Sequence, residues 1–321
     1  MRVRSRAHRL SIGFAVAATL TAAATSAYAQ TAPPPANPWA SGTDTAKPAG
    51  RYADVNGIKL YYEIHGPGAG QGTRSGRPLI LLHGGLGAIE MFGPTLTALA
   101  KGRQVVAVDL QGHGRTADID RPMTVALMAG DVAALITHLK LDRPDVMGYS
   151  MGGGVALQVA IQRPELVGRL VIVSTPFRRN GFYPEILAQQ DQVAGMAEAM
   201  KETPMYQLYQ SLAPRPEDWP RLLTKIGESM KVDFDCSKQI AGITAPTLIV
   251  AGDADLFPPS HAVEMFGLLG GGQRDGGWDG AGRPTSQLAI LPGRTHYAIF
   301  SDPALVETVV PFLDAPAAGR P

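Results

Sequence analysis

Val146-Met147-Gly148-Tyr149-Ser150-Met151-Gly152-Gly153 is a Gly-x-Ser-x-Gly pattern set between an apolar strand, Asp145 to Gly148, and an apolar helical run, Gly153 to Ile161. A strand that passes straight into a helix brings its own backbone atoms close together. The positions two before and two after the turn therefore need glycine. Ser150 stands at the apex in a strained conformation. Its hydroxyl projects from the end of the sheet, and the helix N-terminus beneath it favours developing negative charge. A glycine-rich helix start with an incidental serine would have the same five letters, so the partners elsewhere in the chain decide the reading.

Upstream, Tyr52 to Val55 and Ile58 to Glu63 flank Asn56-Gly57, a pair that tolerates two positive φ angles, which predicts a tight hairpin. Gly66 to Arg77 is a polar, glycine-rich loop. Leu79-Ile80-Leu81-Leu82 and Val105-Val106-Ala107-Val108 are continuous apolar strands, as are the strand before Ser150 and Leu170 to Val173. Such strands, separated by helical stretches, indicate a parallel sheet covered on both faces. Thr124 to Lys140 supplies one of the helices, with Val132, Leu135, Ile136 and Leu139 on one face.

From Thr175 to about Ala241 the strand rhythm stops. This segment is helix-prone, broken by several prolines, and carries Met196, Met200, Met205, Tyr206, Tyr209, Trp219 and Met230. It reads as a helical cap inserted over the sheet. Each of these residues singly fits ordinary cap core, and together they suggest an apolar, adaptable pocket roof. Strands resume at Thr247 to Ala251 and Gln287 to Leu291, with helices at Ser260 to Leu269 and Asp302 to Leu313. Gly270 to Pro284, with seven glycines in fifteen residues, is expected to be an exposed loop. The plan is a signal peptide at 1–29, a disordered linker at 30–50, a core at 51–175, a cap at 176–241 and the rest of the core at 242–315.

The chain has 321 residues, 45% of them hydrophobic, enough for one large core with an insertion. Its formal charge is +1, but Arg2, Arg4, Arg6 and Arg9 fall within the first 29 residues, which hold no acid. Removing those four leaves 25 basic against 28 acidic residues, a net of −3. That balance gives no footprint for nucleic acid. The basic start, the apolar run from Ile12 to Ala24 and the small-x-small site Ala27-Tyr28-Ala29 read as an export signal cleaved after Ala29. The expected location is periplasmic or secreted, and a retained membrane anchor is the alternative. The only cysteine, Cys236, permits no internal disulfide and reads as a buried thiol.

The candidate chemistry centres on Ser150. A hydroxyl is a weak nucleophile near neutral pH and needs a base within hydrogen-bond reach. His296, just after the last strand, suits that role, because imidazole titrates near neutrality. A carboxylate must then orient the imidazole, and Asp253 and Asp255 compete for the task. All these groups fall at the carboxyl ends of expected strands, where open parallel sheets bind ligands.

In combination, His83-Gly84-Gly85, Asp109-x-x-Gly112-His113-Gly114, the elbow at Ser150, Gly252-x-x-Asp255 and Gly293-x-x-His296 resemble the α/β-hydrolase family from about Arg51 to Leu313. The resemblance implies an α/β fold with a mostly parallel central sheet flanked by helices and an inserted helical cap. It implies Ser150, Asp255 and His296 as catalytic residues, with Asp253 bracing its own turn. It points to the backbone N–H groups of Gly85 and Met151 as the oxyanion hole, with Leu86 the alternative to Gly85. His83, Asp109 and His113 are expected to be structural, His83 holding its loop through a side-chain hydrogen bond.

Dehalogenases and epoxide hydrolases of this family carry Asp at the elbow, so Ser150 argues for acyl transfer instead. The expected function is an exported serine hydrolase that cleaves a small to medium apolar carboxylic ester. Lactone opening, C–C cleavage of a diketone-type substrate, or perhydrolysis on the same triad is the alternative, and a non-catalytic binding module the remote one. No cofactor and no metal is expected, since the histidines lack zinc-site spacing. The expected partner is a small ester-like molecule, with no nucleic acid and no stable membrane insertion after signal cleavage.

Overall fold

A computed structural model describes residues 48–67 and 76–316. The signal peptide at 1–29 and most of the linker lie outside the described residues. The chain runs β1 (Arg51–Val55), β2 (Ile58–His65), β3 (Leu79–Leu82), α1 (Gly93–Leu99), β4 (Val105–Val108), α2 (Val125–His138), β5 (Asp145–Tyr149), α3 (Met151–Gln162) and β6 (Leu170–Val173). It continues through α4 (Pro184–Gln190), α5 (Pro204–Leu212), α6 (Trp219–Lys231), α7 (Ser237–Ile240), β7 (Thr247–Ala254), α8 (Pro259–Leu268), β8 (Gln287–Thr295), α9 (His296–Ile299) and α10 (Pro303–Asp314).

The eight strands form one sheet in the order β1-β2-β4-β3-β5-β6-β7-β8. β2 runs antiparallel to β1 and β4, and every other pairing is parallel. Asn56 and Gly57 take φ of 48° and 79°, which closes the β1–β2 hairpin as the Asn-Gly pair requires. The apolar strands β3, β4 and β6 are buried along their whole length, because helices cover both faces. Right-handed crossovers fix which face each helix takes. Thus α1 packs with α10 on one side, and α2 packs with α3 on the other.

Chain direction reverses across the sheet between β3 and β5. β4 lies on the far side of β3, and β5 and β6 step the other way. A switch of this kind is where open parallel sheets bind ligands, at the carboxyl ends of the strands. The His83-Gly84-Gly85 loop and Ser150 both sit there.

Residues 176–241 add no strand to the sheet. Their two ends are stitched together by a Arg178–Asp235 bridge and by bonds from Arg179 N to Phe234 O and Cys236 N to Phe177 O, each 2.9 Å. Within this cap, α6 buries Trp219, Leu222, Leu223 and Ile226 at helical spacing. Each such side chain contributes about 1.5–3 kcal/mol through burial. Trp219 Nε1 donates to Ala197 O at 2.9 Å, and Tyr206 and Tyr209 pack against its ring. The expected apolar roof is thus in large part the cap's own core. Tyr206, Tyr209 and Trp219 hold the insertion together, whereas Met196 is exposed.

Two strands run further than their apolar stretches imply. β7 reaches Ala254, and β8 continues through Pro292 and Gly293 to Thr295. A register shift between Gly252 and Ala254 accommodates the extension. Pro292 is tolerated because β8 is an edge strand, and Gly293 takes φ of 66°. The loop from Gly270 to Pro284 is largely exposed, with Trp278 fully so. It joins the end of α8 to the start of β8, so it lies at the opposite end of the sheet from Ser150.

Candidate active site

The elbow is built by close approach. A Cβ on Gly148 would stand 2.0 Å from Gly152 O, and one on Gly152 would stand 2.4 Å from Leu82 O and His83 O. Only glycine fits at either position. Between them Ser150 takes φ 53° and ψ −119°, a strained conformation for a non-glycine residue. Its N–H donates to Val173 O at 2.9 Å, and its carbonyl accepts from Gly154 N at 3.0 Å.

His296 begins α9 where β8 ends, and it is buried. Its Nε2 lies 3.0 Å from Ser150 Oγ and its Nδ1 lies 2.8 Å from Asp255 Oδ1. An ionised carboxylate only accepts, so Nδ1 carries the proton and Nε2 is left to accept from the Ser150 hydroxyl. Asp255 is the acid in contact with His296, and its side chain is fully enclosed. It also accepts from Leu256 N (2.8 Å), Gly252 N (3.2 Å) and Ser174 Oγ (2.5 Å). Burial by itself would raise its pKa. The bond and charge of His296 and the Ser174 bond outweigh that and hold it below the usual carboxylate range. Asp253, expected to brace the turn, instead lies exposed on β7, and Asp255 takes the turn's amides itself.

The loop after β3 lies directly on the elbow. A Cβ on Gly84 would meet the Tyr149 ring at 2.7 Å, and one on Gly85 would stand 3.9 Å from Met151 Cβ. Among the described residues, the N–H groups of Gly85, Leu86 and Met151 donate to no backbone carbonyl. His83 holds this loop: its Nδ1 bonds Gly84 O at 2.7 Å and its Nε2 accepts from Leu110 N at 3.0 Å. Burial, with His113 beside it, pushes His83 down to about 3, so the ring stays neutral and keeps one donor and one acceptor. Asp109 braces the same loop by accepting from Ile89 N at 2.9 Å and pairs with Arg115.

Three residues of this arrangement carry no sequence signal of their own. Tyr149 Oη donates to the His296 carbonyl at 2.7 Å. Ser174 holds the far oxygen of Asp255. Thr175 Oγ1 lies 2.9 Å from the carbonyls of both Ser150 and Val173, sharing its proton between them. Only the position of Ser174 and Thr175 at the carboxyl end of β6 could have pointed to them.

A family model described as alpha/beta hydrolase fold matches residues 77–214. With the sheet order and the strand-to-helix elbow described above, the chain has the α/β-hydrolase fold. Among curated proteins it is similar to "Putative carbamate hydrolase RutD" of Rhizobium rhizogenes, with 28% identity over 228 residues, 62% of this chain and 81% of that protein. It is also similar to the dihydrolipoyllysine-residue acetyltransferase component of the acetoin cleaving system of Cupriavidus necator. That match is 36% identical over 134 residues, 42% of this chain and 34% of that protein. Among solved structures, the enol-lactonase of Burkholderia xenovorans LB400 superposes with a TM-score of 0.64 at 24% identity, over 82% of this chain and all of that one.

Proposed function

We propose that the protein is a serine hydrolase that cleaves a carboxylic ester of a small to medium apolar molecule through an acyl-enzyme on Ser150. One observation carries the reading: the unbroken line Ser150 Oγ, His296 Nε2, His296 Nδ1 and Asp255 Oδ1, with spacings of 3.0 and 2.8 Å. As Ser150 Oγ attacks the ester carbonyl, His296 Nε2 accepts its proton, and Asp255 stabilises the imidazolium that forms. The N–H groups of Met151 and of Gly85 donate to the carbonyl oxygen as it gains charge. Protonated His296 then gives its proton to the leaving alcohol. Water, deprotonated by His296 in turn, releases the acid from Ser150.

The RutD relatives favour a second reading in which the acyl group is a carbamate, cleaved by the same steps. Incubation with p-nitrophenyl esters of graded chain length, p-nitrophenyl carbamates and lactones, beside Ser150→Ala, separates the two. Ester turnover that disappears in Ser150→Ala is the expected result. Turnover of the carbamates alone moves the assignment to the second reading, and turnover that survives Ser150→Ala removes both. The basic-then-apolar leader ending at Ala29 supports action outside the cytoplasm, which N-terminal sequencing of the protein from its native host tests.

A further inference from the structure

Ser174 is buried, 1% exposed, at the point where β6 leaves the sheet for the cap. Its φ is 52°, a left-handed conformation that glycine takes at no cost and that a serine holds under strain. Its N–H still continues the sheet, donating to Val250 O at 2.8 Å. The backbone there requires a left-handed residue, and glycine would satisfy it better. A serine at such a place is explained by its hydroxyl, which among the described residues has a single partner: Asp255 Oδ2, at 2.5 Å.

The two carboxylate oxygens of Asp255 have different surroundings. Oδ1 accepts from His296 Nδ1 and Leu256 N, and Oδ2 accepts from Ser174 Oγ and Gly252 N. A carboxylate can rotate about its Cβ–Cγ bond. The amides of Gly252 and Leu256 belong to the turn that carries Asp255, whereas Ser174 comes from a neighbouring strand end. Ser174 therefore ties the rotation of that carboxylate to the sheet itself. The next residue, Thr175, bonds the carbonyl of Ser150 from the same strand end. One dipeptide thus braces the acid and the nucleophile at once.

We propose that Ser174 is a positioning residue for the reaction, setting the Asp255 carboxylate so that Oδ1 faces His296 Nδ1. The proposal rests on the serine-hydrolase reading above. Ser174 is not a second nucleophile, since its proton is committed to a carboxylate and it is closed to solvent.

The test uses Ser174→Gly, which removes the hydroxyl while suiting the left-handed backbone. A merely structural serine predicts a variant as active as the wild type and at least as stable. A positioning serine predicts unchanged or raised thermal stability with kcat lowered about tenfold to a hundredfold, the worth of one hydrogen bond to a charged group, and KM nearly unchanged. Ser174→Ala, which keeps the strain, should lose a similar factor in kcat and also melt lower. In an Asp255→Asn background, Ser174→Gly should change kcat by less than about twofold, because the two residues act as one unit.

Labelling by a fluorophosphonate probe keeps the two claims apart. A wild type that fails to label at Ser150 overturns the serine-hydrolase reading, and this proposal with it. Normal labelling of the wild type, with full kcat in a folded Ser174→Gly, overturns the positioning role alone. Equal losses from Ser174→Gly in the wild-type and Asp255→Asn backgrounds also overturn it.

Discussion

Tyr149 Oη donates to the backbone carbonyl of His296 at 2.7 Å, so the residue preceding Ser150 holds the loop that carries His296, the base proposed for Ser150. The Tyr149 ring lies 5.1 Å from the His296 ring and 5.0 Å from that of Phe300, and it fills the space that Gly84 leaves open. Elbow, histidine loop and glycine loop therefore meet on one buried side chain. Tyr149→Phe keeps the ring and leaves the His296 carbonyl without this donor. It should cost about 1–3 kcal/mol of stability and lower kcat severalfold. Tyr149→Ala should cost about 3–5 kcal/mol, as for other large core deletions. Urea denaturation beside steady-state kinetics checks both.

The strain at Ser150 has a measurable consequence. A residue at φ 53° and ψ −119° is disfavoured unless it is glycine, by about 1–3 kcal/mol. Ser150→Gly should therefore melt higher than Ser150→Ala, although both should be inactive. Equal melting temperatures would show that the elbow imposes no strain of this kind. Gly148→Ala and Gly152→Ala should fail to fold or lose most of their stability, because the added Cβ meets backbone atoms at 2.0–2.4 Å.

The sheet was legible because β3, β4, β5 and β6 are short, largely apolar runs buried on both faces, marked by their length, their continuity and the breaks that bound them. Ser150 and His296 were legible because their neighbours are constrained: glycines forced by backbone approach in one case, a strand end in the other. The choice between Asp253 and Asp255 could not be made from strand pattern alone. It depends on the register shift at Gly252 to Ala254, which exposes one carboxylate and buries the other. Ser174 and Tyr149 escaped notice because a hydrogen bond between residues 81 or 147 positions apart leaves no local trace. The cap was visible as an interruption of strand rhythm, but not its attachment.

That attachment combines apolar packing, with Leu222 and Leu223 joined to the sheet's hydrophobic core, and a polar latch. Asp118, nearly enclosed on the loop after β4, accepts from Gln111 Nε2 at 2.8 Å and pairs with Arg221 Nε and Lys225 Nζ, each at 2.7 Å. Arg221 and Lys225 lie four apart on α6, on the side away from its apolar face, and Lys225 also donates to Ile119 O and Arg121 O. Asp118→Asn leaves these cations facing a neutral group. Breaking a fully buried pair costs about 3–5 kcal/mol; here the loss should be about 2 kcal/mol, since Arg221 keeps much of its solvent. If α6 fixes the cap over the site, KM for larger esters should change more than kcat. A variant with wild-type KM across the ester series would show that this latch does not govern access.

The base of the cap carries a titratable group whose effect on stability has a definite sign. His261 stacks on Phe177 at 4.2 Å, and its Nε2 accepts the Phe177 N–H at 3.2 Å, which only the neutral ring can do. Burial, reinforced by Arg178, moves it from 6.5 down to about 4, while Glu264 and Asp235 pull the other way. Between those two values the unfolded chain binds a proton that the folded chain refuses. The stability this group contributes is therefore complete above pH 6.5, declines as pH falls, and is lost by about pH 4. Asp109 and Asp145, each raised to about 6 chiefly by burial, act in the opposite sense, their contribution falling as pH rises toward 6. The wild-type curve is a sum of these effects, so the informative quantity is its difference from His261→Asn, in which both carboxylates remain. That difference in urea midpoint should be largest above pH 6.5 and shrink steadily toward pH 4. A difference that stays constant over this range would mean that His261 does not titrate between the folded and unfolded states, and that its place beside Phe177 is one of packing alone.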